Sequence, residues 1–240
     1  IVYRRFAGRG DRVFYKMTGA AMSAELLSKA VNLLSFVALG LTILLIIRTS
    51  LEGQVRVFAL QSFVLALLSV LIALYSTSLE LFGVGVALIV VKGVMIPRVL
   101  NRAVAKIGLS RVAAPYLGTA PALIICGILT ILAFYVMTPI AASNPLPTAD
   151  AIPLAFAGVL IGFFIMVNRR RAVTQILGFL MLENGIFLLA LLATYGVPFI
   201  VEMGVFLDVL VAVLILEVFV YRIKDNFDSI DVGELGKLKE

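Results

Sequence analysis

The sequence predicts an all-α integral membrane protein with about seven transmembrane helices. Three observations predict it. Hydrophobic residues make up 62% of 240 positions and charged residues only 14%, with mean hydropathy +1.13, well above the apolar share of an ordinary soluble domain. Apolar runs of roughly 20 residues, the length that crosses a hydrocarbon layer, recur along nearly the whole chain. Lysine and arginine collect in alternate connections between those runs, the pattern that sets membrane orientation.

The runs place spans at 30–47, 55–75, 80–97, 117–138, 151–168, 172–195 and 197–221. Arg48 and Arg56 flank the first connection. Arg98, Arg102, Lys106 and Arg111 lie between the third and fourth spans, Arg169 to Arg171 between the fifth and sixth, and Arg222 and Lys224 after the seventh. These connections are expected to face the cytoplasm. The alternate connections, around 76–79, 139–150 and 196, hold no basic residue, so an N-out, C-in protein is expected. Gly196 fits the tight turn between the last two spans, because glycine tolerates the dihedrals such a turn needs.

Residues 1–16 run against this pattern, with Arg4, Arg5, Arg9, Arg12 and Lys16 at an end that parity puts outside. The chain starts with Ile1, and Met17 and Met22 stand just before the first span. The stretch reads as a translated upstream region or a fragment, outside the fold. A basic tail held inside after a missing earlier helix is the competing account. The segment "TPIAASNPLPTADAIP", 138–153, has four prolines and reads as a non-helical external linker. It divides a four-helix unit, 17–138, from a three-helix unit, 151–222, with 139–150 as linker and 223–240 as cytoplasmic tail. Arg56 precedes Gln61 by five residues and Arg170 precedes Gln175 by five, a weak echo of duplicated three-helix units.

Composition also excludes. Histidine and tryptophan are absent, and the single cysteine, Cys126, lies in an apolar run. Haem, iron-sulfur, zinc and nickel sites draw their protein ligands mainly from Cys and His, so no redox cofactor or metal is expected on this chain. Cys126 reads as a small buried apolar residue. The formal charge of +6 resides mostly in short loops and reports topology, with no nucleic-acid partner implied.

Three ionisable residues fall well inside spans: Glu183 in the sixth, Asp208 in the seventh and Lys92 in the third. Glu183 lies roughly 18 Å along its helix at 1.5 Å per residue, near the middle of a layer about 30 Å thick. A charge there costs about 2.5 to 3.5 kcal/mol on insertion scales, and such residues usually face protein or water and mark proton or ion paths. Glu183, Lys92 and Asp208 are therefore the candidate proton-transfer residues. The competing reading is a buried ion pair between a carboxylate and Lys92 that only fixes helix register. Burial favours neutral forms and a nearby opposite charge favours ionised ones, so a Glu and a Lys of changing separation are suited to exchange a proton.

Lys92 is followed by Gly93 and Pro97, and Pro97 cannot donate to the Gly93 carbonyl. Either the helix opens beside Lys92, or the proline merely closes it. Glu217 reads as an interfacial ion-pair partner of Arg222 and Lys224, while Glu80 and Glu202 open their spans on the outer side. Gly158 with Gly162, and Gly83 with Ala87, are small-residue pairs that permit close helix approach. The Arg169 to Arg171 triplet reads as a topology anchor at lipid phosphates.

The stretches "RAVTQILGFLMLENGIFLLALL" and "VEMGVFLDVLVAVLILEVFVYRI", with the tail "SIDVGELGKLKE", resemble the C-terminal half of hydrogenase-4 component E, a membrane subunit related to chain K of respiratory complex I. Gln61 and Ser62 in "ALQS", and Lys92 with Pro97 in "VKGVMIP", resemble the same family's N-terminal half. The similarity runs over about 28–238, and the Glu-Asn-Gly beginning at Glu183 is its most specific element. The resemblance implies a non-redox membrane-arm subunit of a complex I-like assembly, such as the membrane-bound nickel-iron hydrogenase of a formate hydrogenlyase. It would sit beside antiporter-like subunits in a prokaryotic plasma membrane, with hydrogen or formate chemistry left to partners. It also implies that Glu183 matches one of the intramembrane glutamates of chain K that take part in proton movement. A second such glutamate has no counterpart in the second span. A free-standing proton-coupled transporter and a purely structural scaffold remain the rival readings.

Overall fold

A computed structural model of the chain describes residues 23–107, 115–170 and 172–194, with helix backbone alone at 103–107, 172 and 173. The described residues form helices α1 (Ala24–Ile47), α2 (Leu51–Ser76) and α3 (Leu79–Leu88), a π-helical segment (Ile89–Met95), then α4 (Ile96–Ile107), α5 (Thr119–Ala142), α6 (Ile152–Asn168) and α7 (Ala172–Thr194). Because α3, the π segment and α4 run on without a break, six helices among the described residues are long and apolar enough to cross a membrane. They coincide with the first six expected spans. The seventh, 197–221, lies outside the described residues and takes Asp208, Glu202 and Glu217 with it.

The first three long helices start alike. Ser23, Ser50 and Ser78 each accept a hydrogen bond from the backbone N–H three residues on, at 3.2, 3.1 and 3.3 Å. Each serine is followed two positions later by a first-turn glutamate, Glu25, Glu52 or Glu80. The hydroxyl satisfies an amide with no partner inside the helix, and the carboxylate lies at the positive end of the helix dipole. This recurring Ser-X-Glu explains why α1 begins at Ala24 and not at residue 30. Glu25 and Lys29 pair with each other on its exposed surface at 2.6 Å and do not interrupt it.

Connections of like charge gather at one end of the bundle. There the backbone N–H of Tyr116 donates to the Asn168 carbonyl at 3.1 Å, and the Leu117 N–H donates to Asn168 Oδ1 at 2.8 Å. The Arg169 guanidinium donates to the carbonyls of Leu45 and Ile46 at 3.3 and 3.5 Å. At the opposite end, Thr148 Oγ1 and Asn144 Nδ2 donate to the last carbonyls of α7, Leu192 and Ala193, at 2.7 and 3.0 Å. The basic connections at 48–50 and 169–170 therefore share a side with 115–118, and the proline-rich connection lies on the other.

That connection is shorter than expected. Helix α5 continues through Pro139 to Ala142, leaving an irregular stretch only from 143 to 148 before a 3-10 turn at Ala149–Ala151. Pro139 withholds one helical bond, the one its nitrogen would have donated to the Tyr135 carbonyl, and only Ile140, Ala141 and Ala142 follow it in the helix.

Helices α6 and α7 form the tightest pair, and glycine is the cause. A Cβ built on Gly162 would fall 2.5 Å from the Leu182 nitrogen, one on Gly178 2.6 Å from the Met166 nitrogen, and one on Gly185 2.7 Å from the Val159 nitrogen. Backbone thus meets backbone along the hairpin. The expected Gly158 and Gly162 pair does lie on this seam. The pair Gly83 and Ala87 does not perform the same task, since nothing stands within 4 Å of a Cβ on Gly83, whereas one on Gly85 would meet Val70 Cγ2 at 2.8 Å. The α3 contact with α2 is made one helix face round from the expected one.

Helix α1 packs on α2 and α6, α2 on α7, and α3 with the π segment and α4 on α2. Helix α5 packs on α6 at the edge, leaving Ile124, Ile131 and Tyr135 exposed. The four central helices α1, α2, α6 and α7 enclose the core, together with the π segment.

The echo between the halves exists in a different register. Gln54 Nε2 donates to the Arg48 carbonyl at 2.9 Å and Gln175 Nε2 to the Arg169 carbonyl at 2.9 Å, each glutamine folding back over the turn that opens its helix. Leu51 opens α2 and Ala172 opens α7, so the hairpins are offset by 172 minus 51, or 121, positions. Gln54 therefore corresponds to Gln175, and Gln61 does not. In the same register Ser62 occupies the place of Glu183, and its hydroxyl donates back to the Phe58 carbonyl at 3.0 Å.

Candidate functional site

The centre of the bundle holds a buried charge pair. Lys92 Nζ lies 3.0 Å from Glu183 Oε1, and the two residues are 2% and 5% exposed. Hydrocarbon solvates neither charge, so both are turned inward and matched.

The Lys92 side chain comes from the π segment. There the Ile96 N–H donates to the Val91 carbonyl, five residues back, rather than four. The helix opens at Lys92 and then continues past Pro97 to Ile107, so the proline does not end it. One extra residue in the turn rotates the register locally, as π bulges do, and Lys92 is the charged residue within it. Glu183 comes from the glycine-packed hairpin. Close contact of α6 with α7 fixes the rotation of α7 and hence the direction of Glu183 and Asn184.

A line of neutral polar groups runs from the pair. Lys92 Nζ donates to Asn184 Oδ1 at 3.2 Å, and Asn184 Nδ2 donates to Gln61 Oε1 at 3.0 Å. Gln61 Nε2 in turn donates to Thr42 Oγ1 at 2.8 Å and to the Ala38 carbonyl at 3.3 Å. Thr42 Oγ1 closes the line on the same carbonyl at 3.0 Å. All of these side chains are buried. The line crosses from the π segment through α7 and α2 to α1, joining both halves of the chain.

Of the three expected proton-transfer residues, two are brought together, Glu183 and Lys92. Asp208 lies outside the described residues. Asn184, Gln61 and Thr42 were not expected at the site. Their signal was present, since amides and hydroxyls within apolar spans usually bond to other helices.

The arginine triplet departs from expectation at its first member. Arg169 is 4% exposed and its guanidinium covers the last carbonyls of α1. Burial lowers its pKa through desolvation, although a guanidinium stays charged in proteins. Arg170 lies over the Tyr116 ring, 4.7 Å from the centroid, within cation–π range. These contacts hold the basic end of the bundle together.

Among the described residues no group of three or more His, Cys, Asp or Glu side chains could hold a metal ion. Cys126 is buried, as expected.

Fold and site together define a multi-pass, all-helical membrane protein with a charge pair in its interior. Over 212 residues the chain is 39% identical to the uncharacterized protein Rv0085 of Mycobacterium tuberculosis, covering 87% of this chain and 96% of that protein. The chain belongs to the same family as that protein. It is also 24% identical over 150 residues to hydrogenase-4 component E of Escherichia coli K12, covering 62% of this chain and 69% of that protein, and matches its Shigella flexneri counterpart equally. The resemblance read from the sequence is thus a distant similarity. No family model matches the chain, and no solved structure does.

Proposed function

We propose that the protein is a non-redox membrane-arm subunit of a membrane-bound nickel-iron hydrogenase or a related complex I-like oxidoreductase. In this reading it lies in a prokaryotic plasma membrane, with the basic end of the bundle on the cytoplasmic side. The units 17–138 and 151–222 dock against antiporter-like subunits, and redox chemistry belongs to partners. Glu183 takes up and releases a proton when the redox arm changes the local field. Lys92 or a group on a neighbouring subunit is its exchange partner, and Asp208 a further member of the path.

The observation that carries this reading is the enclosed Lys92–Glu183 pair at 3.0 Å. Charge at this depth is costly, and intramembrane ionisable residues are by default functional. The similarity to hydrogenase-4 component E supports the kind of assembly. The same short pair also favours a second reading, a register-fixing contact with no transport role.

Gentle solubilisation of the native membrane, affinity capture of this chain and identification of what accompanies it test the assignment. Recovery with a nickel-iron large subunit and antiporter-like subunits is expected. Isolation as a lone homo-oligomer that moves substrate in liposomes would replace it with a permease.

A further inference from the structure

The bond directions along the buried polar line follow from its two ends. An ammonium has donors only and a carbonyl is only an acceptor. Lys92 therefore meets the oxygen of Asn184, which leaves the Asn184 amide N–H for the oxygen of Gln61. The Gln61 amide N–H then points at Thr42 and the Ala38 carbonyl. Every amide oxygen in the line faces the Lys92 end. Hydrogen bonds in such a chain polarise one another, and aligned amide dipoles with oxygen toward Lys92 favour positive charge there.

Side-chain amides do not readily pass protons, so this line is not itself a proton wire. Glu183 differs from Lys92 in this respect, because it and Asn184 are successive residues on α7 and both face the same ammonium. When Glu183 takes a proton and the ion pair is lost, Asn184 still holds Lys92.

We propose that Asn184, Gln61 and Thr42 are positioning residues, a polarised clamp that keeps Lys92 in place as a standing cation and leaves Glu183 as the titrating member of the pair. The inference rests on the proton-handling reading of Glu183 and narrows it, directing the exchanged proton away from Lys92. Helix α7 brings both the Glu183 carboxylate and the Asn184 amide oxygen to Lys92, while Arg98 and Arg102 of α4 are exposed.

The test uses the full chain in lipid nanodiscs and isotope-edited infrared spectroscopy of the Glu183 carboxyl and carboxylate bands, over a mildly acidic to mildly alkaline series. Thr42 touches neither charge, so Thr42→Val probes the clamp from its far end. It is expected to change the ratio of protonated to ionised Glu183 by about threefold toward the protonated form, the size of one weakened link. Thr42→Ser restores the wild-type ratio. In a Lys92→Met background Thr42→Val adds nothing.

Gln61→Met repeats the cut one link closer and decides the matter should Thr42→Val fold poorly. An unchanged ratio in the folded variant, or an equal change with and without Lys92, would overturn the clamp. These bands are read on this chain alone, so the result is independent of whether an assembled complex moves protons.

Discussion

Replacing Lys92 with methionine shortens the side chain by one atom and removes its charge and its donors. The structure sets the size of the effect. Glu183 would remain 5% exposed after losing its ion pair at 3.0 Å, and Asn184 Oδ1 would lose a donor at 3.2 Å. Breaking a buried pair from one side costs about 3 to 5 kcal/mol, because the other charge stays buried and uncompensated. Replacing both members can be nearly neutral for the same reason. Glu183→Gln in the Lys92→Met background should therefore recover most of the loss. The assay is reversible unfolding in mixed micelles followed by far-ultraviolet circular dichroism, arranged as a double-mutant cycle. A Lys92→Met cost below about 1 kcal/mol, the range of solvent-exposed pairs, would show that water reaches the pair and would refute the argument from burial.

Two glycines should behave oppositely. Gly162→Ala places a Cβ 2.5 Å from the Leu182 nitrogen, and overpacking of about 1 to 3 kcal/mol should outweigh the helix-propensity gain of roughly 1 kcal/mol. Gly83→Ala, with open space around its Cβ, should keep that gain, and thermal unfolding of the two variants checks both signs. Arg169→Met should cost about 1 to 3 kcal/mol by leaving the Leu45 and Ile46 carbonyls without their charged donor. Arg169→Lys should recover only part of it, since one ammonium does not reproduce a guanidinium fork. Chemical denaturation in the same micelles measures that difference.

Six of the spans were legible because hydrocarbon length is a coarse and strong signal. Their ends were less so. The first span was expected to start at residue 30, yet Ser23 caps a helix that begins at Ala24, and Glu25 pairs with Lys29 along it. Pro139 read as part of the non-helical linker, although the helix continues through it to Ala142 and gives up only the bond to the Tyr135 carbonyl. At the site, Glu183 and Lys92 stood out because charge in an apolar run is conspicuous. Thr42 and Gln61 did not, because one hydroxyl or amide in a span carries no mark of which helix it will face. The Arg169 triplet misled for a related reason. Basic residues at a helix end satisfy the topology rule whether they point to phosphates or, as Arg169 does, inward to the end of α1. The weak echo between the halves was sought in Arg56 and Gln61 against Arg170 and Gln175, while the matching side-chain bonds are those of Gln54 and Gln175.

The most direct measurement is redox-driven proton translocation by the proposed complex, reconstituted in sealed vesicles with Glu183→Gln in place of the wild-type chain. The variant keeps the shape of the side chain and loses the exchangeable proton. The account predicts that the complex assembles, that electron transfer persists, and that the protons moved per electron fall sharply. Wild-type proton movement from an assembled Glu183→Gln complex would contradict it.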